Sequence, residues 1–333
     1  MAREVPLKIG IVGLGGIGNN HADCYTNNES AGVVAVCDIQ QDRADAAAER
    51  LNCPAFYSIA DMLASDVTLD ACSMCTAGTE NGGDHYQATM ELLAAGLPVL
   101  GEKPISNNLD HAREMVALAR EKNVPYAINL NHRFTPAAER AKGWCEEGRL
   151  GKLHMIKMRM WINNPNESSP WFHLRALHPH SFDVMRYFAG DVKSVQCFCM
   201  KGENREIWSN AVINLQFENG MIGHLTGSYD AGGTYGLEQC EVVGSKGRFV
   251  LDEACEVLTY YDRNSPSTET FVNLGGMTTF GQTFQSRINA WVDQLVNEVA
   301  PEDVDGSGSA GLAAQQIIEA AITSFETHAV VDL

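Results

Sequence analysis

Leu7-Lys8-Ile9-Gly10-Ile11-Val12-Gly13-Leu14-Gly15-Gly16-Ile17-Gly18 is the stretch from which the rest of this 333-residue chain is read. Its first six residues, mostly apolar, predict a buried strand. Glycines at 13, 15 and 18 follow without a break. The first permits a tight turn, the second lets a pyrophosphate approach the backbone, and the third lets a helix pack on the strand. That helix, predicted to about Asn27, would offer free N–H groups and a favourable dipole to phosphates. The next strand, residues 33–37, ends at Asp38, 20 residues after Gly18. A carboxylate there accepts hydrogen bonds from adenosine ribose hydroxyls and repels a 2′-phosphate. The nearest following arginine, Arg43, falls on the next helix, so the expected cofactor is NAD rather than NADP.

Outward from this unit, strands and helices alternate. Helices are predicted at 43–51, 58–64, 85–95 and 109–122, and strands at 70–75, 98–101 and 126–129. Such alternation with short loops predicts a parallel, doubly wound sheet. After Asn129 the pattern changes. A helix (136–147), a strand (154–161) and a helix from about 179 to 188 lead into strand candidates at 192–200, 211–217, 221–229, 238–243, 248–251 and 257–261. Asn219-Gly220 and residues 244–247 read as hairpin turns. Helices at 284–299 and 312–327 close the chain, and residues 305–309 read as a flexible link. The expected class is α/β. An N-terminal Rossmann domain (1–129) binds NAD, and a C-terminal α/β domain (130–333) with a large, mainly antiparallel open sheet binds substrate and oligomerises. The last helix is free to pack back on the first domain.

A formal net charge of −18 argues against nucleic acid or an anionic membrane as partner. No apolar run reaches the roughly 18 residues of a membrane span, and the first one lacks a signal-peptide cleavage pattern. Cytoplasm is the expected compartment. Ten cysteines in so long a chain read as free thiols, not a disulfide framework. Cys72 and Cys75 have CxxC spacing, but they lie in an apolar strand and no second CxxC exists.

Lys103, in Glu102-Lys103-Pro104, follows the strand at 98–101. It is therefore expected at the carboxyl edge of a parallel sheet, where ligands bind. Near an oxidised nicotinamide its ammonium form is disfavoured, which makes it a usable base. Asn129, Asn131, His132 and Arg133 end the last strand of the first domain and suit hydroxyl recognition. Arg159 and Trp161 share one strand face, and Trp171 and His173 precede His180 on an expected loop; these suit a sugar ring or aglycone. Tyr235 lies in a glycine-flanked loop, available to the cleft or to a subunit contact. His21 is expected only to pack near the cofactor. The His178-Pro179-His180 run raises the idea of a metal, but two histidines and one distant acid are too few ligands, and none is expected.

The chain resembles the family of NAD(P)-dependent oxidoreductases named after glucose-fructose oxidoreductase, inositol dehydrogenase and the rhizopine-catabolism protein (Gfo/Idh/MocA). The resemblance rests on the glycine loop, on Asp38, on His85 through Gly96 leading into Gly101-Glu102-Lys103-Pro104, and on His180-Ser181-Phe182-Asp183. It implies reversible oxidation of a secondary alcohol of a sugar, glycoside or cyclitol, by a homodimer or homotetramer. Lys103 would move the hydroxyl proton, with His180 as its catalytic partner. Cofactor contacts are expected from Gly13, Gly15, Gly16, Ile17, Gly18, Asp38, Thr76, His85, Glu102 and Lys103. Substrate contacts are expected from Asn131, Arg133, Arg159, Trp161, Trp171, His173, His178 and Asp183. Many members carry Asp-x-x-x-His at the start of the second-domain helix, and here the aspartate position is Ala176. Asp183 matches a separate family position. Two other readings stay open: an NAD-dependent glycoside hydrolase using transient C3 oxidation, and a non-catalytic NAD-binding regulator.

Overall fold

A computed structural model of the protein describes residues 5–231, 237–253 and 256–333. Tyr235 lies outside the described residues. The chain divides into two compact units. One comprises the residues up to Asn129 together with Phe284–Ala313, the other Leu130–Thr283 together with Ala314–Leu333.

In the first unit, β1 (Leu7–Val12), α1 (Gly16–Thr26), β2 (Ala31–Cys37), α2 (Gln41–Leu51), β3 (Ala55–Phe56), α3 (Ile59–Ala64), β4 (Ala71–Met74), α4 (Tyr86–Ala94), β5 (Val99–Gly101), α5 (Leu109–Lys122) and β6 (Tyr126–Ile128) follow in order. The six strands lie in the order β3-β2-β1-β4-β5-β6, all parallel. This is the doubly wound arrangement, whose ligand edge lies beyond the carboxyl ends of the strands. Local chemistry sets the boundaries. Ser58 caps α3 by accepting from the Asp61 N–H (3.1 Å), and Gly96 closes α4 at φ +79°. Asp42 does not cap α2; it lies in the helix's first turn.

The second unit carries α6 (Pro136–Glu146), β7 (Leu153–Trp161), α7 (Phe172–Ala189), β8 (Val192–Met200), β9 (Asn210–Phe217), β10 (Ile222–Ser228), β11 (Leu237–Gly244), β12 (Gly247–Asp252), β13 (Val257–Asp262) and β14 (Thr268–Val272). After these come α8 (Gln282–Val296), α9 (Gly308–Thr327) and β15 (Val331–Asp332). Nine strands form one sheet, β14-β13-β12-β11-β7-β10-β9-β8-β15, antiparallel except for the β7–β10 pair. Ile156, Met158 and Met160 of β7 face a core shared with Leu174, Leu177, Phe182 and Met185 of α7.

Three sequence expectations are corrected. Helix α7 does not start at Pro179 but at Phe172, and it runs through the proline. Proline inside a helix removes a hydrogen bond and crowds the preceding turn. Apolar side chains buried on both sides of it hold the helix together regardless. Residues 130–333 are not one continuous domain. Ile288, Trp291 and Val292 of α8 are wholly buried in the core of the first unit. Nor is the 305–309 link loose: the Ile128 N–H donates to Gly306 O (2.8 Å), the Arg287 guanidinium donates to Ile128 O (3.2 Å), and Ala127 bridges Ser307.

Candidate active site

In the first unit, Gly13 takes φ +88°, and a Cβ there would stand 2.6 Å from the Cys75 carbonyl carbon. Only glycine serves at that position. Gly15 and Gly16 are the opposite case, for a Cβ on either meets nothing within 4 Å. The protein leaves that backbone open to a ligand. Helix α1 begins there with no side-chain cap and no acidic residue in its first turn, so its N–H groups face outward for an anion. Ile17 is exposed beside them. Asp38 is fixed at the tip of β2: one oxygen accepts from the Leu14 N–H (2.7 Å) and the other from the Gln40 N–H (2.8 Å). It is thereby tied to the glycine loop, with lone pairs to spare for two hydroxyls. These features fit NAD: an open backbone cradle for the pyrophosphate and a carboxylate for the ribose.

Lys103 lies just past the carboxyl end of β5, before a cis Pro104. It is half-buried. Burial pulls its pKa down from the usual lysine range, opposed by the Glu102 carboxylate. Glu102 is buried and heads a polar chain. Its Oε1 accepts from His21 Nε2 (3.0 Å) and Asn129 Nδ2 (2.6 Å). His21 Nδ1 meets Ser73 Oγ (3.2 Å), which meets the Tyr25 hydroxyl (2.9 Å). Burial alone would raise the Glu102 pKa, but His21, Lys103 and Asn129 outweigh it and hold the carboxyl below its ordinary value. His85 contacts two carbonyls, Pro104 O through Nδ1 (2.7 Å) and Thr76 O through Nε2 (3.0 Å). It pins the loop after β4 to the Lys103 loop, while burial lowers its pKa. Thr76 Oγ1 donates to Asp84 O (3.1 Å). His21 is thus more than packing, and Ser73 and Tyr25 were not foreseen. The sequence carries no signal for them, since His21 and Glu102 lie 81 positions apart. Cys72 and Cys75 are buried thiols whose pKa burial raises, to about 12 for Cys72.

In the second unit, His180 stacks on His132 (ring centroids 4.1 Å, 28° between planes). His132 Nδ1 donates to both carboxylate oxygens of Glu238 (2.7 and 2.8 Å). The Phe280 ring meets His132 edge-on. Glu238 was not foreseen; it stands on β11, 106 positions from His132. Arg133 and Asp183 form a buried ion pair (3.2 Å), and Asn131 donates to Thr283 Oγ1 (2.6 Å).

The remaining predicted contacts do not gather at His180. Arg159 and Trp161 alternate with the core-facing residues of β7, so they leave the sheet on the side away from α7. There the Arg159 guanidinium lies over the Trp161 ring (5.1 Å) and donates to Gln239. Trp171 stacks on Trp208 (6.0 Å) and meets Phe325 edge-on. His173 and His178, fully buried, meet through their Nε2 atoms (3.0 Å) under Gly227, and burial drives both pKa values down, that of His173 to about 3. His178 and His180 thus turn to different partners. Among the described residues no group of three or more His, Cys, Asp or Glu could hold a metal ion, and no helix is long and apolar enough to cross a membrane.

Residues 7–130 match the family model for the GFO/IDH/MocA oxidoreductase family, NAD-binding Rossmann fold, and residues 138–250 match the GFO/IDH/MocA C-terminal domain. The chain is 28% identical to a myo-inositol 2-dehydrogenase of Thermotoga maritima over 264 residues, covering 75% of this chain and 76% of the relative. It is 26% identical to an inositol 2-dehydrogenase of Rhizobium meliloti over 340 residues, 96% of each. The crystal structure of an NAD binding oxidoreductase from Klebsiella pneumoniae superposes with a TM-score of 0.88 at 21% identity, covering 98% of both chains, a likeness of fold. With a parallel NAD-binding sheet and a larger, mostly antiparallel one, each matched by its own domain model, this chain belongs to the GFO/IDH/MocA family of NAD-dependent oxidoreductases.

Proposed function

We propose that the protein interconverts a secondary hydroxyl and a ketone on a sugar, glycoside or cyclitol, with Lys103 as the acid/base. The observation that carries this reading is Lys103 itself. It is a half-buried amine with a depressed pKa at the ligand edge of the sheet, in the unit that carries the glycine loop. NAD, when bound, supplies the hydride acceptor. In the oxidative direction the neutral amine of Lys103 takes the hydroxyl proton, and its ammonium form returns it in reduction. Glu102 is held from behind by His21 and Asn129, which orients the loop that carries the lysine. Asp38 and the open backbone at Gly15 and Gly16 hold the cofactor, and His180 is the second catalytic residue. The relatives named for inositol 2-dehydrogenation favour a cyclic, polyhydroxylated substrate.

The second sheet leaves Phe198, Met200, Val212 and Ile222 exposed on its outer face, a surface suited to a second copy of the chain. The described cysteines are free thiols, in keeping with a reducing compartment such as the cytoplasm. The test is to mix the protein with NAD and a panel of sugars, glycosides and cyclitols, and with NADH and the corresponding ketones. NADH should appear or disappear with at least one of them. Lys103→Ala should abolish turnover and leave NAD binding intact. No redox change in either direction across the panel would overturn the reading.

A further inference from the structure

The carboxylate expected one helical turn before His180 is absent, because Ala176 holds that place. A carboxylate instead stands one ring away from His180, on His132. Glu238 enters from β11 and pairs with His132, and His132 stacks on His180. An ionised carboxylate only accepts, so the contact fixes the proton on His132 Nδ1. In the neutral ring Nε2 is then a lone pair, turned away from Glu238 and made a better acceptor by its charge, the logic by which a buried acid orients a catalytic imidazole. That Nε2 is buried and has no hydrogen-bond partner among the described residues, although the His132 side chain is only 5% exposed. Buried polar atoms are nearly always satisfied, and an exception calls for an explanation.

We propose that His132 Nε2 accepts a hydrogen bond from one hydroxyl of the polyol substrate, with Glu238 as the residue that positions and polarises it. The proposal rests on the dehydrogenase reading above and adds a specificity determinant to it. No proton changes hands: the bond reads one substrate hydroxyl and sets how the polyol lies. The chemical class recognised is a cyclic polyol or sugar whose hydroxyl donates toward Nε2; an ether or deoxy carbon at that position leaves the acceptor unpaired.

The experiment compares kcat/KM of the wild type and two variants on myo-inositol, D-glucose and the complete set of their monodeoxy analogues. His132→Phe keeps an aromatic ring against His180 and Phe280 but removes the acceptor; it is made together with Glu238→Gln so that no lone carboxylate is buried. Glu238→Gln alone keeps an oxygen for Nδ1–H and removes the charge. The wild type should discriminate against one monodeoxy analogue by about 10- to 100-fold. The double variant should lose that factor on the parent substrate, chiefly in KM, and lose nothing further on that one analogue. Glu238→Gln should lose a smaller factor at the same hydroxyl. Thermal unfolding and NAD titration confirm that each variant is folded. If the wild type is active but the variants lose activity equally on every analogue, or lose none, the proposal falls and the dehydrogenase reading stands. If the wild type turns over no substrate, both fall.

Discussion

Gly15→Ala separates what the cofactor asks of the glycine loop from what the fold asks. Gly15 is the N-cap of α1 at φ −69°, ψ −168°, an extended conformation open to alanine. A Cβ there meets nothing within 4 Å. Alanine is a poorer N-cap than glycine, at up to about 1 kcal/mol. It also lowers the entropy of the unfolded chain, which returns about 0.4–1 kcal/mol. The two nearly cancel, and the melting temperature should hardly move. The cofactor should feel something else, because the methyl group would fill the open space at Gly15 proposed for the pyrophosphate. Forcing a methyl into a filled contact costs about 1–3 kcal/mol, a Kd weakened roughly 5- to 150-fold. Gly18→Ala is the contrast. Its Cβ would sit 1.8 Å from Gly13 O, far inside the 3.0 Å that real contacts respect. It should lower the melting temperature as well as NAD affinity. Calorimetric NAD titration and thermal unfolding of the free protein measure both. A Gly15→Ala protein with wild-type stability and wild-type NAD affinity would refute the reasoning, since the pyrophosphate would then not pass over that backbone.

Because burial depresses the Lys103 pKa, oxidative kcat/KM should rise with pH as the ammonium gives way to the amine. The midpoint should fall below the usual lysine value of about 10.4; a pH–rate profile checks this, and a midpoint at or above that value counts against the lysine. The Glu102 carboxyl is held below its ordinary pKa. Its contribution to stability is therefore fully present above the unfolded value of about 4.3 and is lost as pH falls through the lower folded value. Urea unfolding across that range should show wild type losing stability on acidification, while Glu102→Gln, less stable at neutral pH, loses less. Trp291→Ala should destabilise the first unit by about 3–5 kcal/mol, since Trp291 is wholly buried in its core; a urea midpoint close to wild type would mean that α8 does not hold that unit together.

Much of the candidate cofactor site is legible in the sequence because it is local. Gly13, Gly15 and Gly18 act on their own backbone, and Asp38 ends the strand that follows their helix. Alternating apolar strands and capped helices likewise dictate a parallel sheet through short-range physics. Where packing outweighed local preference, the sequence misled: Pro179 reads as a helix start, yet buried side chains on both sides carry α7 through it. Residues 305–309 read as a loose link, yet hydrogen bonds from Ile128 and Arg287 fix them. The Asp38 cradle and the position of Lys103 thus follow from the sequence by itself. Only the tertiary structure decided what stands behind them. His21 and Glu102 meet across 81 positions, and His132 and Glu238 across 106, because a buried carboxylate is stable only beside a donor, and which donor lies within reach is a property of the folded chain.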